Sequence, residues 1–358
     1  MIKRQVLAKQ QTRRSVVRSG MILGGGLAGL GAGVRLADAQ ESTPVASPAL
    51  EGASVTVYSG REEDLIAPAI GMAETSSGVL AEVRYGSTAE LAATIAEEGE
   101  NTPASLYIAQ DSGALGQLAK EGLLAELPED LLNRVEPRFR SPDGLWVGLS
   151  GRARVLIYNT DMVSEDDLPA SVEDLTGDAW TDMVGWAPEN GSFQSFVTAY
   201  RTLEGDDAAL AWLESMIANG AQVYENNTAI VRAVAAGEIP VGLVNHYYKF
   251  RIEAEEGELP IEHHYFDGDA GSLVNVAGVA VLANGPDQRA GMAIIDAFLS
   301  EDVQTYFAET TYEYPLIEGI PTDEALLPLS EVNSPDIDLS DLDDLEGTLE
   351  LIAESGAI

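Results

Sequence analysis

The 358-residue sequence contains no cysteine, only three histidines and far fewer basic than acidic residues. Without cysteine, the chain can form no disulfide, no zinc–thiolate site, no cysteine nucleophile and no lipidated cysteine anchor. Three histidines also argue against a histidine-rich metal centre and against a catalytic triad that depends on histidine. The side chains that remain as candidate ligands are mainly oxygen donors: carboxylates, amides, hydroxyls and phenols.

Basic residues are also scarce in this sequence. The 20 lysines and arginines face 59 aspartates and glutamates, which gives a formal net charge of −39. Because nucleic acids and anionic lipid surfaces require a basic face, neither is expected as the main partner. Hydrophobic residues make up 45% of the chain, enough for one large or two medium-sized domains.

The first 39 residues have the features of an export signal. Arg13 and Arg14 precede an apolar, glycine-rich run over residues 21–34, and residues 37–39 (ADA) form a small-x-small cleavage pattern. We therefore expect a twin-arginine signal peptide over 1–39 and a flexible linker over 40–52, rich in Ser, Pro and Ala. Removal of the signal leaves 13 basic and 58 acidic residues, a net charge of −45.

Strand and helix patterns alternate along the rest of the chain, which predicts an α/β fold with parallel strands and crossover helices. The expected strands are 53–58, 79–85, 104–109, 145–147, 153–159, 241–244 and 275–282. The expected helices are 63–75, 87–99, 207–219, 230–236, 287–299 and 303–310. The acidic tail, 336–350, is expected to form a solvated helix edge.

Two adjacent tyrosines, Tyr247 and Tyr248, follow the buried strand 241–244, at the end of the strand where open α/β sheets bind ligands. Neighbouring side chains point apart in a strand or a helix, so both phenols can face one ligand only if the backbone is irregular. Otherwise, one tyrosine belongs to the core and one to the surface. A phenolate oxygen is a hard ligand that suits a hard cation such as Fe(III).

Beyond single motifs, the chain resembles the ferric-ion-binding periplasmic proteins of ABC transporters, the transferrin-like bacterial iron-binding group. The matching segments are TVYSGREE (56–63), NTPASLYIAQ (101–110), GLSGRARVLIYN (148–159), ENGSF (189–193), NNTAIVRAVAAGEIPVGLVNHYY (226–248), NVAGVAVL (275–282) and YEYPL (312–316). They follow one another in order across most of residues 53–320.

The resemblance implies a two-lobed periplasmic-binding-protein fold with a ligand cleft between the lobes. Two chain crossings would join the lobes, near 152–159 and 275–279. The N-lobe would comprise 53–152 plus 280–328, and the C-lobe would comprise 153–279 plus 329–358.

The resemblance also implies a metal site in which Tyr247 and Tyr248 bind Fe(III). In the relatives with this spacing, a histidine follows the first strand, but here that position is Glu62, a hard oxygen ligand. The glutamate that follows the third strand in the family is Gln110 here, a poor Fe(III) ligand, and Asp111 beside it is a better donor.

Two tyrosines leave an octahedral metal short of ligands, and the family completes the site with an anion such as carbonate or phosphate, or with water. The matching positions for the anion are Asn190, Gly191, Ser192, Asn227 and Asn245, all neutral donors. An ordinary turn is the alternative interpretation of residues 190–191. Arg152, at the first crossing, could pair with the anion or with a nearby carboxylate.

The resemblance therefore implies an exported binding protein that delivers ferric iron to the membrane permease of an ABC importer, as a monomer and without catalysing a reaction. An alternative within the same fold is a small anionic organic solute, such as a phosphonate or a carboxylate. An exported hydrolase is a third possibility, although the sequence contains no G-x-S-x-G motif.

Overall fold

The computed structural model describes residue 50 and residues 52–358, which form one compact unit built on a mixed β-sheet. The predicted signal peptide, and residues 40–49 and 51 of the predicted linker, lie outside the described residues. Among the helices of this described part, none combines the length and the apolar character needed to cross a membrane.

The strands of the sheet are β1 (Ser54–Ser59), β2 (Leu80–Tyr85), β3 (Ala104–Ala109), β4 (Val147–Asn159), β5 (Val184–Trp186), β6 (Gln222–Val223), β7 (Val241–Asn245), β8 (Ile261–His264), β9 (Val274–Val281) and β10 (Tyr314–Pro315). The helices are α1 (Glu63–Ser77), α2 (Thr88–Glu98), α3 (Ser112–Lys120), α4 (Glu129–Leu132), α5 (Gly191–Glu204), α6 (Asp206–Ala218), α7 (Asn227–Ala235), α8 (Tyr247–Glu256), α9 (Gln288–Phe298), α10 (Glu301–Glu309) and α11 (Leu345–Ser355).

The strand order is β2-β1-β3-β9-β4-β7-β5-β6, and β8 and β10 each pair with β4 outside this path. Strand β1 is parallel to both β2 and β3, as the β-α-β-α-β pattern predicted. Strand β5 is parallel to β6 and β7 at the other end of the sheet. The antiparallel strands β9 and β4 join these two parallel groups.

Strand β4 runs through both groups. Its first part, from Val147 to Ala153, pairs with β9, and its second part, from Arg154 to Tyr158, pairs with β7. We call the side with β1, β2 and β3 the first lobe, and the side with β5, β6, β7 and β8 the second lobe. The prediction of two separate strands, 145–147 and 153–159, was wrong because pairing with β9 keeps the glycine-containing stretch between them extended.

Local signals set the helix ends that frame the first lobe. Helix α2 begins after Ser87, whose hydroxyl accepts the N–H of Glu90 at 3.2 Å, and it buries Leu91 and Ile95 on one face. It ends at Gly99, which has a φ of 52°. The prediction of a helix over 87–99 is therefore confirmed to within about one residue at each end.

Residues 339–355, which we call the C-terminal strap, contact both lobes. Leu339 and Leu342 are buried, and the backbone beside them lies so close to α3 that a Cβ at Gly116 would be 2.2 Å from the carbonyl oxygen of Ser340. Helix α11 then packs on α5 and α6 of the second lobe, where Ile352 is fully buried. The expectation of a solvated helix edge over 336–350 was thus wrong for Leu339 and Leu342, which are buried beside α3, whereas Leu349 is exposed as expected.

Candidate functional site

A cavity of about 470 Å³ lies where the two lobes face each other, and residues of both lobes line it. Strands β1, β2, β3, β5 and β7 all end at this cavity, and helices α1, α2, α3, α5 and α8 begin there. Ligands of open α/β sheets bind at such strand ends. Because helix N-termini carry partial positive charge, their convergence favours a ligand or side chains of negative charge.

Tyr247 and Tyr248 both lie on the wall of this cavity. Their rings are stacked, with centroids 4.3 Å apart and planes inclined by 28°. They occupy the first two positions of α8, so an irregular backbone is not needed to bring them together, contrary to the sequence expectation. Tyr247 is buried at 2% exposure, whereas Tyr248 is only partly buried.

The surroundings of Tyr247 keep its phenol protonated in the absence of a cation. Burial raises the pKa of Tyr247 well above its ordinary value, and the neighbouring Tyr248 adds to this increase. Arg152 acts in the opposite direction and lowers the pKa of Tyr247. A polarising cation is therefore required to displace the proton at neutral pH.

His246, immediately before the pair, is fully buried and forms two hydrogen bonds. Its Nδ1 accepts the N–H of Ala153 at 3.1 Å, and its Nε2–H donates to the carbonyl of Tyr312 at 2.9 Å. Burial lowers the pKa of His246 to about 4, although the hydrogen bond to Tyr312 opposes the shift. This histidine is therefore neutral, and both of its ring nitrogens are occupied by protein partners.

The first lobe places two carboxylates on the opposite wall. Glu62 is exposed and is the N-cap residue of α1, and Asp111 is the N-cap residue of α3. Burial raises the pKa of Asp111, while Arg152 and backbone N–H groups of α3 lower it. Gln110, beside Asp111, also lines the cavity. The structure thus brings Glu62 and Asp111 to the same cavity as the tyrosines.

The polar cradle predicted for an anion surrounds the N-terminus of α5. Asn190 is the N-cap residue, and its Oδ1 accepts the backbone N–H of Ser192 at 3.0 Å and the Ser192 hydroxyl at 2.7 Å. Asn227 donates through Nδ2 to Asn190 and Ser192. Asn190, Ser192 and the buried Asn245 line the cavity, and Asn227 supports them.

Gly191, predicted with this group, also lines the cavity. It is the first residue of α5 and is exposed, so residues 190–192 form a capped helix start and not a free turn. A Cβ at Gly191 would meet no atom within 4 Å. Its contribution to an anion site would come from the backbone N–H at the helix N-terminus.

Two buried arginines face the cavity from β4. Arg152 donates to the backbone carbonyl of Gln110, and Arg154 donates to the Ser192 hydroxyl at 3.3 Å and to the Leu243 carbonyl at 2.9 Å. Neither forms a salt bridge with a carboxylate of the described residues. In both side chains, Nε is buried and has no hydrogen-bond partner among these residues.

The charge of Arg154 is preserved at neutral pH. Burial lowers the pKa of its guanidinium to about 9, while Tyr248 and Tyr247 act to raise it. A buried cation without a carboxylate partner is costly to the fold. Arg154 therefore places buried positive charge beside two phenols, where a bound anion would neutralise it, whereas Arg152 also acts on the carboxylates of Asp111 and Glu313.

Sequence reasoning did not single out Arg154, yet the signal was present. Arg152 and Arg154 are two positions apart in a strand, so their side chains point to the same face. A prediction that placed Arg152 in the cleft should therefore have included Arg154. The apolar cover formed by Leu345 and Leu349 of the C-terminal strap was missed as well, since nothing in the local sequence points to the cavity.

Carboxylates and histidines alone do not form a metal site here. Within the described residues, no group of three or more His, Cys, Asp or Glu side chains is placed to hold a metal ion. Metal binding in this cleft would consequently depend on the phenol oxygens of Tyr247 and Tyr248.

Comparison with known proteins identifies the family. A profile described as bacterial extracellular solute-binding protein matches residues 101–338. A curated relative, the Fe(3+)-binding periplasmic protein of Serratia marcescens, is 30% identical over 308 residues, which are 85% of this chain and 90% of the relative. Iron uptake protein A2 of Synechocystis is 34% identical over 268 residues, 72% of this chain and 77% of the relative.

Solved structures agree with these relatives. Iron-bound HitA from Pseudomonas aeruginosa superposes with a TM-score of 0.78 at 34% identity, covering 85% of this chain and 99% of that protein. The apo form of FutA2 from Synechocystis gives a TM-score of 0.72 at 29% identity, covering 86% and 99%. With the α/β fold and the cavity between two lobes, the chain belongs to the bacterial extracellular solute-binding protein family.

Proposed function

We propose that this protein is the extracytoplasmic solute-binding component of an ABC importer and that it captures Fe(III) in the cleft through Tyr247 and Tyr248. The names of its relatives in Serratia and Synechocystis and the iron-bound relative from Pseudomonas support iron as the solute. Its role is binding and delivery, as in other solute-binding proteins, and no reaction is proposed.

One observation carries the proposal. The stacked phenols of Tyr247 and Tyr248 face a cavity that also receives Arg152 and Arg154, two buried cations that form no salt bridge within the described residues. Because two phenolates do not fully balance the charge of Fe(III), these arginines would be neutralised by an anion bound beside the metal. A hard trivalent cation is the species best able to displace the phenol protons.

The remaining coordination positions are assigned as part of the proposal. Glu62 supplies a carboxylate oxygen from the first lobe. Asp111 lines the same cavity and assists Glu62 in ligand binding. Carbonate, phosphate or water completes the coordination. The anion is held by the backbone N–H groups of Gly191 and Ser192, by Asn190 and Asn245, and by the guanidinium groups of Arg152 and Arg154, while Asn227 orients Asn190 and Ser192.

The wider organisation is proposed on the same basis. The N-lobe comprises 53–152 plus 280–328 and the C-lobe 153–279 plus 329–358, and hinge motion at the two crossings closes them on the ligand. The protein is exported by the twin-arginine route, with residues 1–39 as its signal. It acts as a monomer that docks on a membrane permease, and it binds no nucleic acid.

The test is a visible spectrum of the protein without residues 1–39, titrated with ferric citrate. We expect a tyrosinate-to-iron charge-transfer band that saturates at one iron per protein. The band should be absent from the Tyr247→Phe/Tyr248→Phe double variant. Tyr158→Phe, in the second-lobe core, is the matched control and should retain it.

The absence of the charge-transfer band would contradict the proposal. If the folded protein gives no band and ferric citrate does not change its intrinsic fluorescence, the ferric proposal is wrong. Calorimetry with phosphate and methylphosphonate would then test whether the polar cradle and the two arginines bind a small anionic solute instead.

A further inference from the structure

Each of the two segments proposed to bind the metal begins with a fully buried, polar side chain. On the first lobe, Arg61 precedes Glu62, and on the second lobe, His246 precedes Tyr247. Arg61 is 1% exposed and His246 is 0% exposed, and the cavity lining includes neither of them. Both therefore have a role in the protein interior, directly behind the residues that face the cleft.

Both side chains bind consecutive residues of one short segment, Tyr312–Glu313. Arg61 forms a salt bridge to the carboxylate of Glu313, with 2.7 Å between Nη2 and Oε1. His246 donates from Nε2 to the carbonyl oxygen of Tyr312 at 2.9 Å, since its Nδ1 accepts the N–H of Ala153. The two ligand-bearing segments, which belong to different lobes, thus share one point of attachment.

The segment itself is firmly held. The hydroxyl of Ser150 on β4 donates to Glu313 at 2.6 Å and accepts from Arg61 at 3.0 Å. The residues that follow pair with β4 as strand β10. Tyr312 has a φ of 57°, in the left-handed region that non-glycine residues adopt only when their surroundings impose it. Its ring stacks on Phe250 of α8, with centroids 5.6 Å apart.

We propose that Tyr312–Glu313 is a bracket that sets the position of Tyr247 relative to Glu62, with His246 and Arg61 as its two positioning residues. This inference rests on the proposed function, because it assigns the bracket a role in presenting the metal ligands of both lobes. A buried salt bridge alone is weak evidence of such a role. The positioning role is indicated by the placement of both attachments one residue before a cleft residue, on either side of the crossing strand.

His246 allows each of its two contacts to be removed separately. In His246→Asn, the amide oxygen can take the place of Nδ1 and accept the Ala153 N–H, but the side chain is too short to reach Tyr312. In His246→Gln, the amide nitrogen can take the place of Nε2 and keep the bracket. We expect His246→Asn to release iron to a competing chelator about threefold to tenfold faster than wild type, the range expected for one hydrogen bond.

The spectrum separates positioning from a general loss of stability. His246→Asn should shift the charge-transfer maximum, because the phenolate of Tyr247 moves relative to the iron, while His246→Gln should restore both the maximum and the release rate. His264→Gln is the matched control, since His264 donates to the carbonyl of Pro169 at 2.7 Å and has no contact with the bracket. Its release rate should equal that of wild type.

A second readout needs no iron. In the apoprotein, hydrogen exchange of the amides that donate to the first-turn carbonyls of α8 should be faster in His246→Asn than in wild type or His246→Gln. Ser150→Ala, which removes the hydroxyl between Arg61 and Glu313, should accelerate exchange of the corresponding amides of α1 instead. If the wild-type protein shows no iron band, the proposed function fails, and the exchange data still decide the bracket. Unchanged exchange in both variants, or wild-type release and spectrum in His246→Asn, would overturn it.

Discussion

The rings of Tyr247 and Tyr248 are stacked with their centroids 4.3 Å apart, at the first turn of α8. Because consecutive residues rarely present their side chains to one ligand, this arrangement requires a helix that starts at the cavity wall. Strand β7 ends at Asn245, and a single residue, His246, separates it from the helix. The abrupt passage from strand to helix is therefore what gives both phenols access to the cavity.

Ferric binding should become stronger as pH rises. Burial raises the pKa of Tyr247 well above its ordinary value, so the phenol is protonated in the apoprotein and must lose its proton when it binds the metal. Proton release on binding means that the affinity increases with pH and is lost as pH falls. The plot of log affinity against pH, obtained from titrations across the neutral range, should have a slope lower by about one in Tyr247→Phe than in wild type. Equal slopes would show that Tyr247 binds without losing a proton.

Arg154 should determine how strongly iron binding depends on the anion. Its guanidinium is buried, contacts the Ser192 hydroxyl, and has no carboxylate partner among the described residues. We expect the gain in ferric affinity on adding carbonate or phosphate to fall by about tenfold to hundredfold in Arg154→Gln, as for the loss of a charged hydrogen bond. Arg232→Gln, at a surface ion pair, is the control and should keep the full gain. Retention of the gain in Arg154→Gln would place the anion elsewhere.

Glu62 should contribute more to ferric binding than Asp111. Glu62 is exposed on the cavity wall, whereas Asp111 is partly buried at the start of α3, where Arg152 and backbone N–H groups lower the pKa of its carboxyl against the effect of burial. Chelator competition should therefore show about a tenfold loss of affinity in Glu62→Gln and a smaller loss in Asp111→Asn. Glu63→Gln changes the charge equally one residue away and should have little effect. The reverse order would make Asp111 the first-lobe ligand.

The packing of the C-terminal strap on α3 should be disrupted by a single added methyl group. A Cβ at Gly116 would lie 2.2 Å from the Ser340 carbonyl oxygen, so Gly116→Ala must displace the strap and should lower the free energy of unfolding by about 1–3 kcal/mol. Gly71→Ala, inside α1, meets no atom within 4 Å and should instead raise it by about 0.5–1 kcal/mol. Urea unfolding of both variants measures the difference. Equal stabilities would mean that the strap is not seated tightly on α3.

Local patterns were sufficient for the regular elements of the first lobe. Strand β3 was predicted at its observed limits, and β1 and α2 were predicted to within about one residue, because alternation, capping and a terminal glycine act within a few residues. Strand β4 was predicted in two pieces, since Gly148 and Gly151 resemble a turn. In the structure, these glycines lie under Leu316 and Tyr314, where a Cβ would be 2.6 Å and 3.2 Å from the nearest atoms. The need for glycine at these two positions therefore comes from contacts with residues far away in the sequence, which local patterns do not show.

Sequence patterns could predict those residues of the candidate site that come shortly after the end of a strand. The tyrosine pair, the two carboxylates and the asparagine cradle all meet at one cavity, whereas their assignment as ligands stays a prediction. Helices α5 and α8 were not predicted, so Asn190 was interpreted as a loop residue when it is a helix cap. The bracket at Tyr312–Glu313 could not be inferred, because its partners are separated in sequence by 66 and 252 residues.

The C-terminal strap sets a limit on the distance between the lobes. Leu342 anchors it on α3 of the first lobe, and Asp344 is bound by Arg201 of the second lobe at 2.9 Å. Only Asp343 lies between these two anchors, and consecutive Cα atoms are 3.8 Å apart. The cleft can therefore open widely on this side only if one anchor detaches. The length of the chain between Leu342 and Asp344 thus limits how far the cleft can open. Residues inserted after Asp343 should allow a wider opening.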